Sequence, residues 1–117
     1  LAGITEVALK EFVADKTNWR KMLKNDIEDE SLVDWRNTLK PHIPEEAKEY
    51  FIESNVETQL RFPVDKYPVK PKSLNLKKEK SYTGVLAGIK GQYLIFEDDT
   101  VFNVRANEGL VVIIETL

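Results

Sequence analysis

The chain has 117 residues, 42% hydrophobic and 32% charged, a balance that suits one folded domain, or a small domain plus part of another, and excludes wholesale disorder. It contains no cysteine, which rules out disulfides, thiolate metal sites and thiol catalysis within this stretch and fits a reducing, cytoplasmic setting. The formal charge of −3 argues against a strong nonspecific binder of nucleic acid, but it is unevenly placed: residues 1–56 carry 8 Lys/Arg against 12 Asp/Glu, and residues 57–117 carry 9 against 8.

No apolar run approaches the roughly 18 residues that would cross a bilayer, so no membrane partner is expected. The chain opens at Leu1 inside an apolar-periodic pattern, as expected of a fragment whose upstream part lies outside this sequence.

Ile4, Val7, Ala8 and Phe12 fall at helical spacing, with Glu6 and Lys10 as an i,i+4 pair in the favourable order. Residues 15–18 interrupt the pattern with capping and turn residues, and Trp19, Met22 and Leu23 set a second helix. Ser31 is placed to N-cap a third helix burying Leu32, Trp35 and Leu39, which Pro41 stops. Pro44, Glu45 and Glu46 open a fourth, with Ala47, Tyr50 and Phe51 as its buried stripe and Asn55 at its end. Residues 1–56 thus read as a helical subdomain of about four short helices.

The period then changes. Thr58, Leu60 and Phe62 alternate with Gln59 and Arg61 as on a half-buried strand. Residues 63–80 form a connector with Pro63, Pro68 and Pro71, and Leu74 and Leu76 suit a short strand within it. From Tyr82 the pattern is β: residues 82–89, 92–96, 101–105 and 110–114, separated by turns at Lys90–Gly91, 97–100 and 106–109. Gly84 and Gly88 predict a bulge or bend in the first of these. The fold class expected is α+β, with residues 57–117 as a small antiparallel β-meander, either closed into a barrel or left as an open sheet.

Catalytic material is sparse. His42 is the single histidine, set in an interhelix loop, and no nucleophile-elbow motif surrounds any serine, so it reads as structural or exposed. Glu28, Asp29, Glu30 and Asp34 lack the glycine-punctuated spacing of a calcium loop, and the glycines at 84, 88 and 91 belong to strand-turn-strand text rather than a phosphate cradle. The informative feature is Lys66, Lys70, Lys72, Lys77, Lys78 and Lys80 with Glu79 as the one acid among residues 66–80, and with Tyr67 and Tyr82 at its flanks. Such a strip either tracks a phosphate backbone or solvates a proline-rich connector and guards sheet edges. Lys70, Lys72, Lys77 and Lys78 are its candidate nucleic-acid contacts.

Residues 1–10, 13–20, 70–76, 88–96 and 101–105 together resemble a bacterial family of unknown function, and the resemblance covers essentially the whole chain. It implies that full-length members begin with a paired-CxxC, zinc-ribbon-like segment, continue through a core resembling GIY-YIG nuclease domains, and end with the region present here. In such nucleases a helix carries a metal-binding glutamate and an asparagine follows. The comparison places Glu6 and Asn18 at those positions, with the remaining site residues upstream. The bland readings stand beside it: Glu6 as a surface partner of Lys10, and Asn18 as a cap or turn residue. One carboxylate cannot hold a divalent ion, bind a substrate phosphate and activate water, so no cofactor and no catalysis are expected of this segment alone. The resemblance implies a divalent metal only for the full-length protein.

Three roles are consistent with these residues. The chain is expected to be a C-terminal accessory module of a nuclease-like protein that contacts nucleic acid through the lysines. Its rivals are a structural or protein-interaction module packing on the upstream domains, with an exposed apolar patch on the first helix, and a contributor of Glu6 to a phosphodiesterase site in the whole protein.

Overall fold

A computed structural model describes residues 1–117. The chain is α+β, with four helices preceding a four-stranded mixed sheet. It forms two compact units: a helical unit of Leu1–Asn18 and Ile27–Leu60, and a sheet unit of Trp19–Asp26 and Arg61–Leu117.

The helical unit contains α1 (Ala2–Leu9), α3 (Leu32–Leu39) and α4 (Glu45–Lys48), with a 3-10 turn at Lys40–His42. Ser31 caps α3 as its sequence predicts, its hydroxyl accepting from Asp34 N at 3.2 Å. Pro41 ends that helix inside the 3-10 turn. The fourth helix is one turn long and stops well before Asn55. Polar contacts along α3 then tie down the chain that follows. Glu57 Oε1 accepts from Ser31 Oγ and Val33 N, Arg36 donates to Ser54 O and to Asn55 Oδ1, and Lys40 pairs with Glu53. Positions 33, 36 and 40 share one face of the helical turn and meet 57, 54–55 and 53 in reverse order, so residues 53–57 lie antiparallel along α3.

What this unit lacks is an apolar core. Ala47 is its one buried hydrophobic residue, and Leu32, Trp35 and Tyr50, expected inside, are exposed. Helices of four to eight residues bury a stripe only where a second layer covers it, and none does here.

The sheet unit holds the core. α2 (Trp19–Leu23) and strands β1 (Lys72–Ser73), β2 (Leu86–Lys90), β3 (Tyr93–Phe96) and β4 (Thr100–Asn103) build it, in sheet order β1-β4-β3-β2. Leu23, Tyr93, Ile95 and Val101 form the buried cluster, with Trp19, Met22 and Val64 packed on it. Lys90 is buried yet satisfied: its Nζ donates to Met22 O at 3.0 Å and lies 5.5 Å and 5.3 Å from the ring centroids of Phe62 and Tyr67. That one side chain pins α2 and the connector to β2.

Strands β2, β3 and β4 form the expected antiparallel meander. Gly91 takes φ +56° at the first loop position of the β2–β3 hairpin, as primed turns require. The β3–β4 loop, Glu97-Asp98-Asp99, has its third residue left-handed (Asp99, φ +69°), the arrangement common in three-residue hairpins. The register shifts between Leu86 and Gly88, so the bulge read from the glycines is present at Ala87.

Two departures follow from hydrogen-bond supply. The expected strand at 110–114 does not form, and Val111 is 97% exposed. In a meander the fifth strand would take the free edge of β4, but β1 occupies that edge, running parallel to it, so the sheet is mixed. The expected strand at 58–62 also fails. Pro63 supplies no N–H to extend a ladder, and pairing with β2 reduces to a bridge at Val64–Gly88 flanked by Asp65 N to Ala87 O and Ile89 N to Pro63 O. The sheet is open, with β1 and β2 at its edges.

Candidate functional site

Two surfaces merit a functional reading, one in each unit. On the helical unit, α1 buries none of its residues, and Leu1, Ile4, Val7, Phe12 and Val13 are all exposed, Val7 by 74%. Beside them is an apolar cleft of about 400 Å³ walled by Leu1, Ala2, Ile43, Ala47 and Phe51. His42 stacks on Phe12 with ring centroids 3.8 Å apart.

The second surface is the lysine strip of the sheet unit, and the structure splits it. Lys66, Lys70 and Lys72 lie against the β3–β4 turn. Asp99 accepts from Val69 N at 3.1 Å and Lys70 N at 3.0 Å, and Lys66 Nζ donates to Glu97 O at 3.2 Å. The Lys70 N–H holds the Asp99 carboxyl below the usual carboxylate range, with Val69 N–H, Lys66 and Lys72 adding to the effect. Asp98 is likewise lowered, first by the Thr100 N–H and then by the hydroxyls of Tyr82 and Thr100. This half of the strip therefore faces carboxylates that offset its charge. Lys77 and Lys78 lie in a separate turn organised by Asn75, which accepts Lys77 N on its side chain and Lys78 N and Glu79 N on its carbonyl.

Charge segregates more sharply between the units than between the sequence halves. The helical unit carries 5 Lys/Arg and 12 Asp/Glu, or −7, and the sheet unit 12 and 8, or +4. The difference arises because α2 and its flank, bearing Arg20, Lys21 and Lys24, join the sheet. Sequence reasoning passed over these three residues. The signal was available in the spacing of Trp19, Met22 and Leu23, the apolar face that packs on β3.

Glu6 is exposed on α1 and forms no ion pair with Lys10. Asn18 immediately precedes α2. No group of three or more His, Asp or Glu residues converges to hold a metal ion.

An α+β chain with a sparsely packed acidic helical unit and a well-packed basic sheet unit is the class these features define. The chain belongs to the family DUF2797, described as a protein of unknown function, whose pattern matches residues 1–112. No curated protein and no solved structure matches it. No helix is long and apolar enough to cross a membrane.

Proposed function

We propose that the chain is an accessory packing module, whose helical unit covers part of a nuclease-like core lying upstream in the intact protein. The observation that carries this reading is the helical unit's exposed apolar surface: α1 buries nothing, and the unit has one buried hydrophobic residue. Surfaces of this kind mark protein contacts. The GIY-YIG-like and zinc-ribbon-like character of that upstream part rests on the sequence resemblance alone. Glu6 is exposed on α1, and its part in a metal-dependent phosphodiesterase depends on residues supplied from upstream.

Hydrogen exchange tests the packing. The α1 amides should exchange at least about tenfold more slowly in the full-length protein than in this chain. Equal rates in both would sink the reading. The phosphodiesterase role predicts activity only in full-length protein, lost on Glu6→Gln.

A second reading has its own support: the +4 sheet unit gains Arg20, Lys21 and Lys24 beside Lys70, Lys72, Lys77 and Lys78, which suits contact with nucleic acid. Fluorescence titration against labelled DNA and RNA at about 50 and 200 mM salt should give binding that weakens with salt. It should vanish when the four lysines are changed to Glu. No binding at the lower salt would remove this reading.

A further inference from the structure

Because β1 runs parallel to β4, the two strands finish at the same end of the sheet, and the segments leaving them meet there. Residues 74–77 follow β1, which ends at Ser73, and residues 104–107 follow β4. Between them lies a polar cleft of about 180 Å³, lined by Ser73, Leu74, Asn75, Lys77, Ala106 and Asn107.

The lining is fixed by hydrogen bonds and leaves donors over. Leu74 N donates to Val101 O at 2.9 Å, which seats this wall against β4. Asn75 Oδ1 accepts from Lys77 N at 3.0 Å, and its amide Nδ2 makes no hydrogen bond with protein. Asn107 Nδ2 donates to Asn103 O at 2.8 Å, and Asn103 Oδ1 accepts from Ala106 N at 3.1 Å, holding the opposite wall. The Ser73 hydroxyl and the Lys77 ammonium make no hydrogen bond or ion pair with protein. No carboxylate lines the cleft. Lys72, Lys78 and Arg105 adjoin it in the chain, against Glu79 and Glu108.

We propose that this cleft binds the oxyanion of a phosphate group, received by the Lys77 ammonium, the Ser73 hydroxyl and the Asn75 amide. An ammonium supplies the charge, neutral donors supply direction, and the lack of a carboxylate removes the main obstacle to an anion. It differs from the Lys66–Lys72 half of the strip, where the Asp98 and Asp99 carboxylates offset part of the positive charge. The phosphate belongs either to a free ion or nucleotide or to a nucleic-acid backbone.

The test is a titration of the 117-residue chain with inorganic phosphate, followed by backbone amide shifts, with chloride at matched ionic strength as control. The amides of Ser73, Asn75, Lys77 and Asn107 should shift saturably, with a dissociation constant on the order of millimolar. Lys77→Gln, an exposed change that leaves the fold intact, should weaken binding roughly tenfold, the loss of one charge-assisted contact. Ser73→Ala should weaken it less. A short single-stranded oligonucleotide that shifts the same four amides at lower concentration assigns the phosphate to nucleic acid. Phosphate acting without the oligonucleotide assigns it to a small ligand. Shifts that do not saturate, that map elsewhere, or that survive Lys77→Gln overturn the site. Oligonucleotide binding that moves only the other lysines would retain the nucleic-acid reading and still remove this cleft from it.

Discussion

Leu23 is fully buried although its helix is five residues long, too short to persist in water without tertiary support. Its side chain closes the core against Tyr93, Ile95 and Val101, so Leu23→Ala should release α2 from the sheet. Losing a fully buried leucine forfeits roughly 1.5–3 kcal/mol of transfer free energy. The cavity left behind brings the total to about 3 kcal/mol, within the usual range of 2–5. A sheet unit of 65 residues (eight from Trp19–Asp26 and 57 from Arg61–Leu117) is expected to have only about 3–10 kcal/mol in all. The change should therefore bring the unit close to unfolding. Urea denaturation followed by Trp19 fluorescence, in a Trp35→Phe background, reads this directly because Trp19 stacks on Tyr93 at 6.2 Å. With a slope of roughly 1.5 kcal/mol per molar, the midpoint should fall by about 2 M. A loss under about 1 kcal/mol would refute the reasoning, since it would make α2 an appendage rather than part of the core.

Gly88→Ala should cost about 1–3 kcal/mol, because an added Cβ would come within 2.7 Å of the Val64 Cα, a backbone atom that cannot swing aside. Faster exchange of the Asp65 amide, which donates to Ala87 O, would report the loosened edge, and an unchanged rate would contradict it. Asp98 and Asp99 have folded-state pKa values below the ordinary carboxylate value of about 3.9. Their contribution to stability is thus complete above that value and is lost as pH falls through the lowered ones. Acid titration of the urea midpoint should show this loss, and Asp99→Asn should flatten it. Tyr82 behaves oppositely. Burial raises its phenol first, aided by the hydrogen bond to Asp98, so its contribution is complete below the ordinary value of about 10 and lost as pH rises through the raised one. In an ultraviolet titration one of the four tyrosines should ionise last, and Tyr82→Phe should remove that step.

Local patterns carried several features of the fold. Ser31 as a cap, Pro41 as a stop, Gly91 in its turn and the bulge beside Gly88 each follow from one residue's own chemistry, and each stands as read. The failures share a different cause. Val111 to Ile114 have strong β character, but a strand also needs an edge, and whether β4 had one free depended on Lys72 and Ser73, some 30 to 40 residues earlier. Trp35 and Leu32 sit at correct helical spacing, but burial depends on a covering layer that helical periodicity does not supply.

The candidate sites divide along the same line. A lysine strip is legible because its members are adjacent in sequence, but the docking of its first half against Asp98 and Asp99 is not, since these lie about 30 residues further on and act through the turn that Asp99 makes by entering the left-handed region. The polar cleft is less legible still. Ser73, Asn75 and Lys77 carry no motif, and Ala106 and Asn107 read as an ordinary turn. They meet because a two-residue strand pairs parallel rather than antiparallel with β4. Antiparallel pairing would have sent the two chain segments to opposite ends of the sheet and left Lys77 as one more solvated lysine. The same short strand thus displaces the expected fifth strand and creates a polar cleft in which the Ser73 hydroxyl, the Asn75 amide and the Lys77 ammonium have no protein partner.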